Sequence, residues 1–413
     1  MRSIDELSRA ELAVLGREYM LFGHLLNRAA LPHVHFQVGA EAREAVAIEE
    51  WMGASPIYTR RMQRRLGFTG DGVGTIFKGF QLDVGFPHQY MDVHYDLESE
   101  ARGFFWLVSC GALLEVEQYG EAAVRSMCHA IEDPTFDASA VATNPRARCR
   151  PIHRPPRTPA DRVPHCRWEV FVDPDAEPIQ EAAITRRMAS ARLADIAFPA
   201  ARTDGTGGRE DYRGPFDPAF RLEHLSRAAL VDVCREFLVQ DHLLVRSLMI
   251  AVADRAGDDV ARQIATKQWT GAGAVTAGRL HRAFGSGGDG VEAIVTVLRL
   301  HPALMPGYAG LDAAVAGDRG RLWLEECEAL REGDGYAWSA LLTDAVHPAL
   351  DAMVQAVNRR ARCIPATPTG AERLAWEIVI DTGAAPADEP PEAAMVSATN
   401  TARFAFRAVA PSS

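Results

Sequence analysis

No stretch of 18 consecutive apolar residues occurs in the 413-residue chain, so no segment reads as a membrane-spanning helix. The opening residues, MRSIDELSRAEL, lack an apolar signal-peptide core and pass directly into an amphipathic pattern, from which we expect a cytoplasmic protein. Basic residues are too few and too scattered for a nucleic-acid surface. Lys and Arg number 44 against 55 Asp and Glu, giving a net charge of −11, and only residues 146–157 concentrate arginine. Cysteine is scarce and odd in number, seven in all with no CxxC, which argues for reduced thiols in structural, catalytic or metal roles. A phosphate-binding GxGxxG loop is missing as well. No clear strand precedes Gly70-Asp71-Gly72, and those residues read as a turn between helices.

What is there is a duplication. Residues 7–28 (LSRAELAVLGREYMLFGHLLNR) align without a gap on residues 225–246 (LSRAALVDVCREFLVQDHLLVR), with 11 of 22 positions identical. The same offset carries Trp51 onto Trp269, Gly70-Asp71-Gly72-Val73 onto Gly288-Asp289-Gly290-Val291, and Tyr90 onto Tyr308. With small gaps, Trp106 and Cys110 fall on Trp323 and Cys327, Cys149 on Cys363, and Trp168-Glu169-Val170 on Trp376-Glu377-Ile378. Even Ala191-Arg192, past the last strand, has a counterpart in Ala402-Arg403. The chain therefore divides into a first repeat (1–200), a glycine-rich charged linker (201–217) and a second repeat (218–413).

Each repeat opens with helical patterning. Ser8 can cap a helix whose Leu12, Leu15, Tyr19, Phe22 and Leu26 share a face, and Leu230, Val233, Phe237 and Leu244 repeat the stripe. Residues 41–52 and 259–269 form the next helices, ending at the paired tryptophans. Residues 120–131 and 336–346 read as helices that stop before Pro134 and Pro348. The runs RWEVFVD (167–173) and AWEIVID (375–381) alternate as half-buried strands. The expected fold class is α+β, two tandem units with N-terminal helices followed by a region of helices and antiparallel strands.

The duplication also acts as a filter. Residues kept in both halves, such as His24 and His242, Cys110 and Cys327, or Cys149 and Cys363, are read first as packing. Chemistry confined to the first half is more informative: Cys128 aligns with Leu342, His129 with Thr343, Glu132 with Val346, His153 with Thr367, His165 with Arg373 and Cys166 with Leu374. Cys128 and Glu132 are four apart, so on a helix they share a face, with Cys128 near that helix's end. Strand alternation would turn His165 and Cys166 to opposite faces. Two chemistries suit this set. One is a cysteine nucleophile relayed by His129 and Glu132; the other is a Zn²⁺ ion on Cys128, Cys166 and one histidine from His129, His153 or His165, with an open position for water. His88 and His94, in the polar stretch 87–98, and Arg148, Arg150 and Arg154, in the cationic run, are the candidates for holding an anionic substrate.

Residues 110–172 resemble the L-2-amino-thiazoline-4-carboxylic acid hydrolase family. The resemblance rests on Cys110 before a helix, Gly120, Cys128 followed by Glu132, and Cys166 opening the strand Arg167-Trp168-Glu169-Val170, with Glu49-Glu50-Trp51 upstream. The chain departs from the pattern in His129, His165, the arginine-rich insertion and the second copy. The resemblance implies hydrolytic opening of a thiazoline-type ring or cleavage of another C–S or C–N bond, with Cys128 and Cys166 central. The sequence thus points to a hydrolase or lyase with one site per chain and a small anionic substrate, with zinc as a candidate cofactor. A small-ligand or metal-binding protein without catalysis is the alternative, and a homo-oligomer is left open.

Overall fold

A computed structural model describes residues 3–203, 205, 207–285 and 287–398. Residues 402 and 403, the counterparts of Ala191 and Arg192, lie outside the described residues. The fold is α+β, as the patterning predicts: helices and two separate four-stranded antiparallel sheets.

Ser8 and Ser226 each accept a hydrogen bond from the third residue of the helix that follows, and Glu11 closes a capping box on Ser8. These caps start the 30-residue helices Arg9–Val38 and Arg227–Ala256, which lead through Gly39 and Gly257 into the helices Ala40–Leu66 and Asp258–Phe284. The second pair runs well past Trp51 and Trp269, where the periodicity ends them. Small residues follow in both, Ala54, Gly271 and Ala272, which pack without a large apolar stripe to mark the helix.

The four long helices pack together about a pseudo-twofold relation. Glu18 of the first repeat pairs with Arg279, and Glu236 of the second, 218 positions on, pairs with Arg61. Likewise Arg9 donates to the Leu225 carbonyl and Arg227 to the Leu7 carbonyl. This is the contact pattern of an isologous dimer written into one chain. One continuous apolar core runs through both repeats, so neither carries a core of its own. The linker is tied down as well: buried Tyr212 packs on Phe68 at 5.9 Å, and the Lys78 ammonium donates to its carbonyl.

The strands of the first repeat are β1 (Met91–Ser99), β2 (Arg102–Cys110), β3 (Ala147–His153) and β4 (Cys166–Val172), in the order β1-β2-β4-β3. Those of the second, β5 (Leu311–Ala316), β6 (Arg319–Glu325), β7 (Ala361–Ala366) and β8 (Glu372–Ile380), repeat it as β5-β6-β8-β7. Register settles the alignment: His94 opposes Trp106 as Asp312 opposes Trp323, and Cys149 opposes Val170 as Cys363 opposes Ile378. The amides of Cys149 and Cys363 even donate to equivalent carboxylates, Asp137 and Asp351.

Between the middle strands the repeats diverge, and the expected helices are corrected in both. In the first, the helix does not stop before Pro134. It runs from Glu121–Arg125 through a π-helical turn, Ser126–Ile131, into Glu132–Val141. Proline lacks an N–H and crowds the carbonyl four residues back. The wider turn just before it, in which the Glu132 N–H reaches the Met127 carbonyl, is where the helix absorbs that defect. In the second, residues 336–346 form only the short 3-10 turn Trp338–Leu341, and Pro348 opens the helix Pro348–Gln355 behind a His347 cap.

Candidate functional site

Three thiols and a carboxyl from four different elements come under each other's influence in the first repeat. Cys110 ends β2 and accepts the Leu113 N–H at 3.5 Å, capping the short helix Gly111–Val116. Cys166 opens β4, paired with Leu107 of β2. Cys128 and Glu132 come from the π-helical turn and the residue after it, so Cys128 sits mid-helix and not near a helix end. The thiols are 2–5% exposed.

Burial pushes the Cys110 thiol up to about 12, and the charge of Glu132 adds to the rise. Burial and then Glu132, Cys110 and Cys166 drive Cys128 higher still, and Cys166 moves the same way from burial, Glu132 and Cys110. Glu132 in turn is pushed up to about 8 by burial, with Arg154 opposing and Asp133 assisting. At neutral pH the resting cluster therefore holds its protons. The charge of Glu132 raises all three thiols, so ionising the carboxyl makes each thiol harder to ionise.

Glu132 Oε2 is buried and lacks a hydrogen-bond partner among the described residues, and the Trp168 indole N–H faces the Cys166 sulfur. Arg154 lies over the Trp168 ring at 5.8 Å, with its guanidinium on Asp133 and 3.5 Å from the Cys128 carbonyl. A cation, an acid and an indole N–H thus surround the thiols. Such an arrangement can bind a small anion and move a proton.

The other expected residues lie elsewhere or serve the backbone. His129 Nε2 is 2.6 Å from the Pro155 carbonyl and His153 Nε2 3.1 Å from that of Pro164, so one nitrogen of each ring is engaged by the backbone. His165 precedes β4, so strand alternation does not govern it. It is buried beside Cys166, and its Nδ1 accepts the Cys110 N–H at 3.1 Å. The zinc set Cys128, Cys166, His153 and His165 is not assembled: among the described residues no three His, Cys, Asp or Glu side chains are disposed to hold a metal ion. Arg148 donates to the carbonyls of Pro145, Ala147 and Glu177, and Arg150 pairs with Asp137, so of the three arginines only Arg154 attends the cluster. His94 stacks on Trp106 at 5.8 Å with Asp92 3.1 Å away, and His88 lines a separate cavity.

Sequence reasoning set Cys110 aside because Cys327 matches it, yet Cys110 is a full member of the cluster. Cys327 differs in its surroundings: its thiol donates to the Ala309 carbonyl at 3.4 Å, and Leu342 and Leu374 stand where Cys128 and Cys166 would be. Sequence reasoning also passed over a second polar centre between the long helices, where Glu50, Tyr58, Asp83 and Asp241 are buried together. Its signal was the same filter, since Glu50, Tyr58 and Asp83 align with Gln268, Thr276 and His301.

No family model, curated protein or solved structure matches this chain.

Proposed function

We propose that the protein is a cytoplasmic hydrolase that cleaves a C–S or C–N bond of a small anionic substrate at the Cys110, Cys128, Cys166 and Glu132 cluster. The observation that carries this reading is the shared burial of three thiols with one carboxyl, Glu132, which is pushed up to about 8 and whose charge raises all three thiols. The resemblance to the thiazoline-carboxylate hydrolases supports the same bond type. Arg154, beside both Glu132 and Trp168, is the group that would take the substrate's anion.

In the reaction we assign, the Cys128–Glu132 pair first loses one proton. The Cys128 sulfur attacks the substrate's electrophilic carbon, the bond to the leaving sulfur or nitrogen breaks, and the leaving atom takes the thiol's proton by way of Glu132. Water, deprotonated by Glu132, then displaces the sulfur, and the proton returns to the thiol. The net change is addition of one water across one bond.

The test incubates the protein with L-2-amino-thiazoline-4-carboxylate and follows new thiol by titration and ring opening by mass spectrometry. Turnover that is lost in Cys128→Ala and retained in Cys363→Ala supports the proposal. Turnover that survives in both Cys128→Ala and Glu132→Gln overturns the site assignment, and absence of turnover on this and on acyclic thioimidate or amidine carboxylates overturns the reaction.

A further inference from the structure

A cavity of about 100 Å³ lies at the seam where the chain entering the second repeat crosses the edge strand β1. That is room for several waters, whereas one needs roughly 10–15 Å³ on this measure. Its apolar wall includes Phe86, Tyr95 and Phe220, and its polar groups include His88, Asp92 and Arg221. These are not the residues of the cysteine cluster, although Met91 of the cavity wall is the strand partner of Cys110.

The polar groups are of three kinds. Arg221 is exposed, and one of its terminal nitrogens donates to the Phe220 carbonyl. His88 is half-buried, and burial followed by the fields of Arg221 and Arg17 lowers its pKa to about 4. It is therefore a neutral imidazole at physiological pH, able to donate one N–H without adding charge. Asp92 puts a carboxylate on the same cavity, 3.1 Å from His94.

A plain anion would meet Arg221 favourably and Asp92 unfavourably, and a plain cation the reverse. A ligand carrying both charges a few bonds apart satisfies both, and the aromatic wall suits a short apolar side chain. The geometry points to a binding site for a small zwitterionic amino acid, its carboxylate on Arg221 and His88 and its ammonium on Asp92. At the pseudo-symmetric location Ser3 of the first repeat and Pro306 of the second stand in place of Arg221 and His88, so the site is single. It is independent of the hydrolase reading.

The test is calorimetric titration of the full chain with L-alanine, propionate and ethylamine, each alone. L-alanine is expected to bind and the two half-ligands to bind at least about tenfold more weakly, since each forgoes one charge-assisted contact. Arg221→Gln should weaken L-alanine about tenfold or more, and this exposed residue can change without loss of fold, checked by circular dichroism. Asp92→Asn should reverse the preference toward propionate. Equal binding of propionate and L-alanine to the unaltered protein would overturn the proposal, as would no binding of L-alanine or binding indifferent to Arg221→Gln.

Discussion

The same stretch of chain, between the second and third strands of each repeat, is built in two ways. In the first repeat a continuous helix with a π-helical turn carries Cys128 and Glu132 onto Cys110 and Cys166. In the second the helix is reduced to a short turn, and Trp338 stacks on Trp269 at a ring separation of 4.6 Å. Val124 stands in the first repeat where the alignment puts Trp338, whereas the aligned histidines His24 and His242 lie beside Trp51 and Trp269 alike, at 5.8 and 5.5 Å. Trp338, Leu342 and Leu374 give the second copy an apolar filling where the first keeps ionisable groups. A filled core stabilises, and buried acids and thiols do not, so the polar version is retained against its own stability.

The largest expected effect breaks this comparison directly. Cys128→Ala or Glu132→Gln should lower turnover by a factor on the order of 10² to 10⁴, the range for removing a nucleophile's proton partner, while Cys327→Ala leaves it unchanged. Initial rates with the thiazoline carboxylate read the difference. If Cys327→Ala fell as far as Cys128→Ala, the functional asymmetry of the repeats would be wrong.

A pH profile sharpens it. Glu132 is pushed up to about 8, and the pair must shed one proton before attack, so the rate should rise with pH through about 8. Glu132→Gln should remove that limb from the residual rate. A rate that falls through 8 would instead make Glu132 an acid that must stay protonated.

Where the repeats agree, their responses should agree too. Arg61–Glu236 and Arg279–Glu18 are equivalent buried pairs with side chains 6–8% exposed. Removing one partner leaves an uncompensated charge at a cost of about 3–5 kcal/mol. Glu18→Gln and Glu236→Gln should therefore destabilise equally in chemical denaturation, and unequal losses would show that the pseudo-symmetry is not energetic.

The fold was legible wherever period and cap coincide. Ser8 with Glu11, and the alternation around Trp168, mark a helix start and a strand by local chemistry alone. The duplication made the pairing of repeats visible before any geometry. What stayed hidden depends on contacts distant in sequence. Pro134 reads as a helix stop because the π turn that accommodates it leaves no mark in the residue pattern. The arginines of β3 read as one cationic patch, yet strand geometry and Asp137 send Arg148 and Arg150 away from Arg154. Cys110 reads first as packing because Cys327 matches it, yet a shared residue can sit in two different surroundings. His153 and His165 looked like ligands because a sequence does not show which carbonyl or amide a ring will meet.

The smallest expected effect concerns the buried centre between the helices. Glu50 is fully buried, and burial pushes its carboxyl well above the usual range, a hydrogen bond with Asn27 offsetting only part of this. A carboxyl whose folded pKa is raised contributes no penalty below the unfolded value near 4.5, and stability is lost as pH climbs from there through the folded value. Its counterpart in the second repeat is Gln268, which has the same shape and no charge. Glu50→Gln should therefore stabilise the protein by about 1–3 kcal/mol at pH 8 and by almost nothing at pH 4, read as a pH-dependent shift in denaturation midpoint. Destabilisation at both pH values would mean that Glu50 keeps its charge for a partner, and the first repeat would then have a second reason to remain polar.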